Sequence, residues 1–157
     1  MGSSNYPLLN LPTFDVNLRS VKQRTEIFDS FRQRYIKLTP EEWVRQHTLH
    51  YLVEHLNYPK NRIAVEVSLN LNKLSKRADI LVYSAKLVPW MIIECKASTV
   101  KLNQSVFDQA ARYNLVMNVP YLAVTNGIQL QAAEIIHSEE RIIRLEKLPD
   151  WNQTYLQ

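Results

Sequence analysis

The chain has 157 residues, 46% hydrophobic and 22% charged, with a net charge of +4, which fits one domain with a substantial core. No apolar run approaches the roughly 18 residues of a membrane span, and the N-terminus lacks a basic-then-apolar signal pattern. The single cysteine excludes an internal disulfide and a cysteine-cluster zinc site, so a cytoplasmic protein is expected.

Charge is uneven along the chain. Residues 1–78 hold 12 Lys and Arg against 7 Asp and Glu, whereas residues 79–157 hold 7 against 8. The basic half suits a phosphate-bearing partner as well as it suits a plain solvated surface.

Residues 1–25 combine Pro7 and Pro12 with scattered apolar residues and read as an extended arm, packed through Leu8, Leu9, Leu11 and Phe14. Residues 26–157 are expected to form a single domain. Glu26 to Ile36 is ambiguous and fits a short turn followed by a strand. Thr39-Pro40-Glu41-Glu42 marks a helix start, with Thr as N-cap, Pro at the first helical position and acids in the first turn. This helix should run to about Leu56, with Val44, Leu49, Leu52, Val53 and Leu56 as its apolar stripe. Arg45 falls inside that stripe and Glu42 on its edge. They can pair with each other or look into a cleft. His47 and His50 fall on the opposite face and are expected to be solvated.

Ile63 to Leu71 alternates apolar and polar residues, as a half-buried strand does. Asn72 to Lys76 reads as a basic turn. Two short apolar strands follow, Ile80 to Val82 and Met91 to Ile93, joined by the short connector Ser84 to Pro89. A helix is expected from Val106 to about Met117, then a buried strand Tyr121 to Val124 and a turn at Thr125-Asn126-Gly127. Ile128 to Ile135 and Arg141 to Leu148 alternate as closing strands, with a helix over Gln131 to Glu140 as the alternative. The sum is an α/β fold with a mixed sheet flanked by helices.

The two central strands carry charge where a strand core should not. Asp79 opens the first, and Glu94-Cys95-Lys96 closes the second. Alternation puts Glu94 and Lys96 on one face and Cys95 on the other. A hairpin between the strands would bring Asp79 to the same end. Charges at the ends of buried strands are costly unless paired or metal-bound. Mg²⁺ favours oxygen ligands, commonly one or two carboxylates with water and substrate phosphate. Asp79 and Glu94 would be those carboxylates, and the Cys95 backbone carbonyl a third ligand. Lys96 would orient the attacking water or stabilise charge on the phosphate. A structural salt bridge at the sheet end fits the same letters.

The motifs together resemble the N-terminal nuclease domain of type I restriction enzyme R subunits, a branch of the PD-(D/E)xK nuclease superfamily. The resemblance rests on Pro40-Glu41-Glu42-Trp43-Val44-Arg45-Gln46, Arg77-Ala78-Asp79-Ile80, Ile93-Glu94-Cys95-Lys96-Ala97, Gln109-Ala110-Ala111-Arg112-Tyr113-Asn114 and Val124-Thr125-Asn126-Gly127. It implies a restriction-endonuclease-like core of order α-β-β-β-α-β. It also implies Mg²⁺ or Mn²⁺ on Asp79 and Glu94, with Lys96 assisting catalysis. The family's helix glutamate would be Glu42, with Glu41 as substitute, and Gln109 and Tyr113 would brace Lys96 or the scissile phosphate. The proline of the superfamily's name is Ala78 here. No Gly-x-x-x-x-Gly-Lys loop is present, so no translocating motor is expected in this chain. The expectation is a metal-dependent DNA endonuclease domain that acts without a motor of its own. A second copy, or a helicase or specificity protein, would be its protein partner. The alternative is a non-catalytic nucleic-acid- or partner-binding module on the same fold.

Overall fold

The computed structural model describes residues 6–71 and 74–155, including all their side chains except those of Leu71, Leu74, Tyr113, Leu115 and Val116. A small antiparallel sheet comes first, from β1 (Leu18–Val21), β2 (Arg24–Asp29) and β3 (Arg34–Lys37). Helix α1 (Pro40–Glu54) follows, then β4 (Ile63–Leu71), β5 (Leu74–Tyr83), β6 (Pro89–Cys95), α2 (Gln104–Met117), β7 (Tyr121–Thr125), β8 (Leu130–Ile136) and β9 (Arg141–Leu145). From α1 onward the order α-β-β-β-α-β is as expected from the sequence. The second sheet has six strands in the order β4-β5-β6-β7-β8-β9. Only β6 and β7 run parallel, and α2 makes the crossover between them, as a parallel pair requires.

The two helices cover opposite faces of the large sheet. Val44, Leu49 and Leu52 of α1 pack on Ile80, Val82, Met91 and Ile93. Phe107 and Ala110 of α2 pack on Leu122, Val124, Ala133 and Ile135. The alternation of side chains along each strand makes this division possible. A third cluster, Ile27, Leu38 and Trp43, fastens the small sheet to α1.

Thr39 caps α1 as its sequence signature predicts, its hydroxyl accepting from the Glu42 amide at 3.1 Å. The helix ends at Glu54, one turn's half short of Leu56. Several expectations are corrected. His47 is buried, and His50 is only partly exposed. The N-terminal arm lies over that face: Tyr6 stacks on Trp43, and Phe14 packs against both histidines. α1 is therefore buried on nearly every side and has no solvated face there. Within the region read as an arm, residues 18–21 form β1, and Arg24 and Thr25 open β2. Leu74 to Lys76 belong to β5, not to a turn. Asn72 and Lys73 lie outside the described residues. Gln131 to Ile136 is strand, and one 3-10 turn, His137–Glu139, follows it.

Candidate functional site

Asp79 does not open its strand, as the sequence suggested, because β5 begins at Leu74 and pairs with β4 on both sides of it. The β5–β6 register ends at Ile80 and Ile93, so Asp79, in mid-strand, and Glu94, near the end of β6, come next where that pairing stops. Asp79 Oδ2 accepts from the backbone amide of Cys95 at 2.7 Å. The carboxylate thus replaces a main-chain carbonyl where the β5–β6 ladder stops. Oδ1 accepts from Arg45 Nη2 at 2.7 Å. The Cys95 side chain points into the core and is fully buried. Burial pushes its thiol pKa up, and nearby Asp79 adds to the effect, which removes it as a nucleophile.

Glu94 and Lys96 share a face, as their spacing requires. Lys96 Nζ donates to Glu94 Oε1 at 2.9 Å, and Lys76 Nζ to Oε2 at 3.2 Å. Burial alone would raise the Glu94 carboxyl pKa, but the two lysines outweigh it and hold it below the usual range. Burial works against the Lys96 ammonium, yet the bond to Glu94 and the fields of Glu41 and Asp79 raise its pKa overall. Lys96 is therefore a fixed cation.

The two acids at the start of α1 go different ways. Glu42 is buried and accepts from Arg32 Nη2 at 2.6 Å, from Gln46 Nε2 at 2.9 Å and from Arg45 Nη1. Glu41 remains half exposed at the strand ends. Partial burial raises its pKa, and the negative fields of Asp79 and Glu94 raise it further. Glu41, the substitute in the sequence reading, is thus the helix acid that shares the field of Asp79 and Glu94. Glu42 reaches Asp79 only through Arg45.

Behind the site runs a charged network that sequence reasoning missed. Arg32, in the β2–β3 turn, binds Asp29, Glu42 and, at 2.5 Å, Glu66. Glu66 lies on β4 opposite Asp79, in a gap between the pairs Val65↔Ile80 and Val67↔Ala78. Its φ is +54°, a left-handed conformation costly for a non-glycine residue. That kink sits where its carboxylate meets Arg32 and, at 2.7 Å, Arg77. A glutamate at a polar position of an alternating strand gave no warning, and Arg32 fell in the ambiguous segment.

Gln109 is exposed on α2 and makes no hydrogen bond to Asp79, Glu94 or Lys96 among the described residues. The Tyr113 side chain lies outside the described residues. The Asn126-Gly127 turn supports the site from the other side. Asn126 Nδ2 donates to the Val100 carbonyl at 2.9 Å, and the Lys96 amide donates to the Thr125 carbonyl at 2.8 Å. Among the described residues, no three His, Cys, Asp or Glu side chains form a ready-made metal cage. No helix of the described residues is long and apolar enough to cross a membrane.

The chain resembles a solved fragment assigned as an HsdR subunit of a type I restriction enzyme from Vibrio vulnificus YJ016, with a TM-score of 0.54 at 19% identity. The match covers 76% of this chain and 25% of that one, so this chain corresponds to a quarter of the longer relative and shares its fold. No curated protein matches the chain. The family profile described as Type I restriction enzyme R protein N terminus matches residues 40–149, from the first residue of α1 to beyond β9. The chain belongs to the family of type I restriction enzyme R protein N-terminal domains.

Proposed function

We propose that this domain is a divalent-metal-dependent endonuclease that hydrolyses phosphodiester bonds of DNA. The observation that carries the reading is the placement of Asp79 and Glu94 side by side where the β5–β6 pairing ends, with Lys96 hydrogen-bonded to Glu94 at 2.9 Å. The donor set fits Mg²⁺ or Mn²⁺: Asp79, Glu94 and the Cys95 backbone carbonyl are hard oxygen ligands, and water and phosphate complete such sites. Glu41 adds a further carboxylate beside them: partial burial raises its pKa, and the fields of Asp79 and Glu94 raise it further against those of Arg45 and Lys96. A bound cation would supply Lewis acidity, making a nucleophile available near neutral pH and neutralising phosphate charge.

The chain's own groups do the rest. Lys96, held protonated, donates to a phosphate oxygen and offsets the charge that builds on the phosphoryl oxygens; it does not act as a base. Glu94 fixes the Lys96 ammonium. Arg45 and the Cys95 amide fix the Asp79 carboxylate. Glu42 acts through Arg45, and Gln109 and Tyr113 on α2 brace Lys96 or the scissile phosphate once DNA is present. Such a domain works in the cytoplasm, where its DNA lies. A second copy would let it cut both strands, and a helicase or specificity protein would bring it to its target.

One observation favours a second reading, a non-catalytic binding module. Both carboxylates are already neutralised from within, Asp79 by Arg45 and Glu94 by two lysines. Calorimetric titration of Mg²⁺ and Mn²⁺ with a plasmid-nicking assay separates the two. The nuclease reading expects metal binding that Asp79→Asn and Glu94→Gln abolish. It also expects Lys96→Ala to bind metal while nicking about 100-fold more slowly, as loss of a positioned charge-stabilising donor does. Full nicking by Lys96→Ala would remove Lys96 from the reaction, and no metal binding or no nicking by the wild type would leave the binding module standing.

A further inference from the structure

The small sheet β1–β3 precedes the family-matched span, which begins at residue 40. Residues 18–37 hold six Lys and Arg against two Asp and Glu, an excess equal to the net charge of the whole chain, +4. The fold sorts these charges. Asp29 is fully buried beneath the sheet, bound to Arg32 and Gln46. The inner face carries Ile27 and Ile36 toward Leu38 and Trp43. The register places Arg19, Glu26 and Lys37 in one cross-strand row on the outer face. Arg24, Phe28 and Tyr35 share that face by alternation. Glu26 is the one acid there, and Arg19 and Arg24 each meet it at 2.7 Å. Among the described residues, no carboxylate pairs with Lys22, Arg34 or Lys37, all exposed. The β1–β2 turn holds Lys22 and Gln23 at φ +44° and +65°, in a hairpin position that favours Asn-Gly. A strained lysine thus stands at the tip of a basic face.

The sheet that carries this face is tied to the candidate site from its inner side. Arg32 leaves the β2–β3 turn to bind Glu42 and Glu66, and Arg45 links Glu42 to Asp79. We infer that the outer face of β1–β3 docks the sugar–phosphate backbone of duplex DNA and presents it to the Asp79–Glu94–Lys96 end of the large sheet. The inference rests on the DNA reading above. Duplex suits the face better than a single strand does. The Tyr35 ring already carries the Arg19 guanidinium 3.9 Å from its centre, and Phe28 packs against Tyr35. Among the described residues of this face the aromatic rings are thus partly engaged, which disfavours stacking of unpaired bases, while cations without a carboxylate partner remain for phosphates.

The test is fluorescence anisotropy of the full chain with a labelled DNA duplex and with the matching single strand, without divalent cation, across a series of salt concentrations. Lys22→Glu/Lys37→Glu is compared with Arg141→Glu/Lys147→Glu, which makes the same change in net charge at the far edge of the large sheet. The first pair should weaken duplex binding at least about tenfold and reduce the salt slope by about two, as the loss of two phosphate contacts does. The second pair should stay within about twofold. Equal loss in both pairs, no loss in the first, or tighter binding of the single strand would overturn the inference. Thermal unfolding of each variant shows whether the fold is kept, and Lys22→Gln/Lys37→Gln, which adds no repulsion, should lose the same slope. The nuclease reading fails separately: duplex bound through this face without nicking removes the enzyme and keeps the docking surface. Nicking and duplex binding unchanged in the face variants do the reverse.

Discussion

Arg45 sits where the two halves of the charged network meet. It is 5% exposed and touches Glu42 and Asp79 directly, with Glu41 and Glu66 at the margin of contact. Burial disfavours its charge, but the surrounding carboxylates more than compensate and push its pKa up. Among the described residues, removing Arg45 leaves Asp79 with only the Cys95 amide and Glu42 with only Arg32 and Gln46, and a partly buried carboxylate deprived of its cation costs more than the pair's net worth. Arg45→Met should therefore destabilise the chain by about 3 kcal/mol, read as a shift of the urea midpoint. Arg45→Lys should recover only part of this, because an ammonium cannot reach two carboxylates with a planar fork. At this scale the sequence was informative where charge broke a pattern. Arginine in an apolar stripe, and Asp79, Glu94 and Lys96 against apolar strand runs, all announced themselves as groups in need of partners, although Asp79 lies inside a longer strand than its apolar run suggested. Which acid faced which way could not be read, because Glu41 and Glu42 are neighbours and helix rotation near a cap decides between them.

Among the elements, the turn after β7 shows how a short motif supports a site at a distance. Asn126 Oδ1 accepts from the amides of Ile128 and Gln129, its side-chain nitrogen holds the Val100 carbonyl, and Gly127 adopts φ +81°. A Cβ on Gly127 would come within 2.8 Å of Leu9 on the N-terminal arm. Gly127→Ala should cost about 1–2 kcal/mol, from the left-handed backbone and the clash together. Adding Leu9→Ala should relieve the steric part but not the backbone part, and a double-mutant cycle on the urea midpoint measures the split. Most elements of residues 40–149 could be read from periodicity and caps, because α1 has Thr39-Pro40 at its start and the strands are apolar runs between breakers. The small sheet could not. Its strands span four to six residues, its turn lacks glycine, and its outer face is charged. The two histidines of α1 were misplaced for a related reason. Helical periodicity assigns a face but not what covers it, and the cover here is an arm without regular structure.

Taken as a whole, the molecule should respond to acid in two stages. Burial, the largest influence, depresses the His47 pKa below the usual His value of about 6.5. A group with a depressed folded pKa stabilises above its unfolded pKa and loses that contribution as pH falls through the folded one. The same sign applies to Asp29, Glu66 and Glu94, whose cationic partners outweigh burial and lower their pKa values. Their contribution is complete above the ordinary carboxylate range and is lost below it. Glu41, with its raised pKa, works in the opposite sense and favours the fold when protonated. Urea midpoints should thus decline first below about pH 6.5 and again in the carboxylate range. His47→Asn should flatten the first decline and leave the second, and a first decline that persists unchanged in His47→Asn would remove His47 as its cause. The path of Arg32 also bears on where this domain can be cut. Similarity to the family starts at Pro40, yet the guanidinium that reaches Glu42 and Glu66 comes from upstream of that boundary. A polypeptide begun at residue 40 would retain every matched motif and lose the cation that neutralises two of its acids, together with Ile27 over Trp43. The unit that ancestry recognises is therefore smaller than the unit that electrostatics closes, and any excised or grafted version must carry β2 and β3 with it.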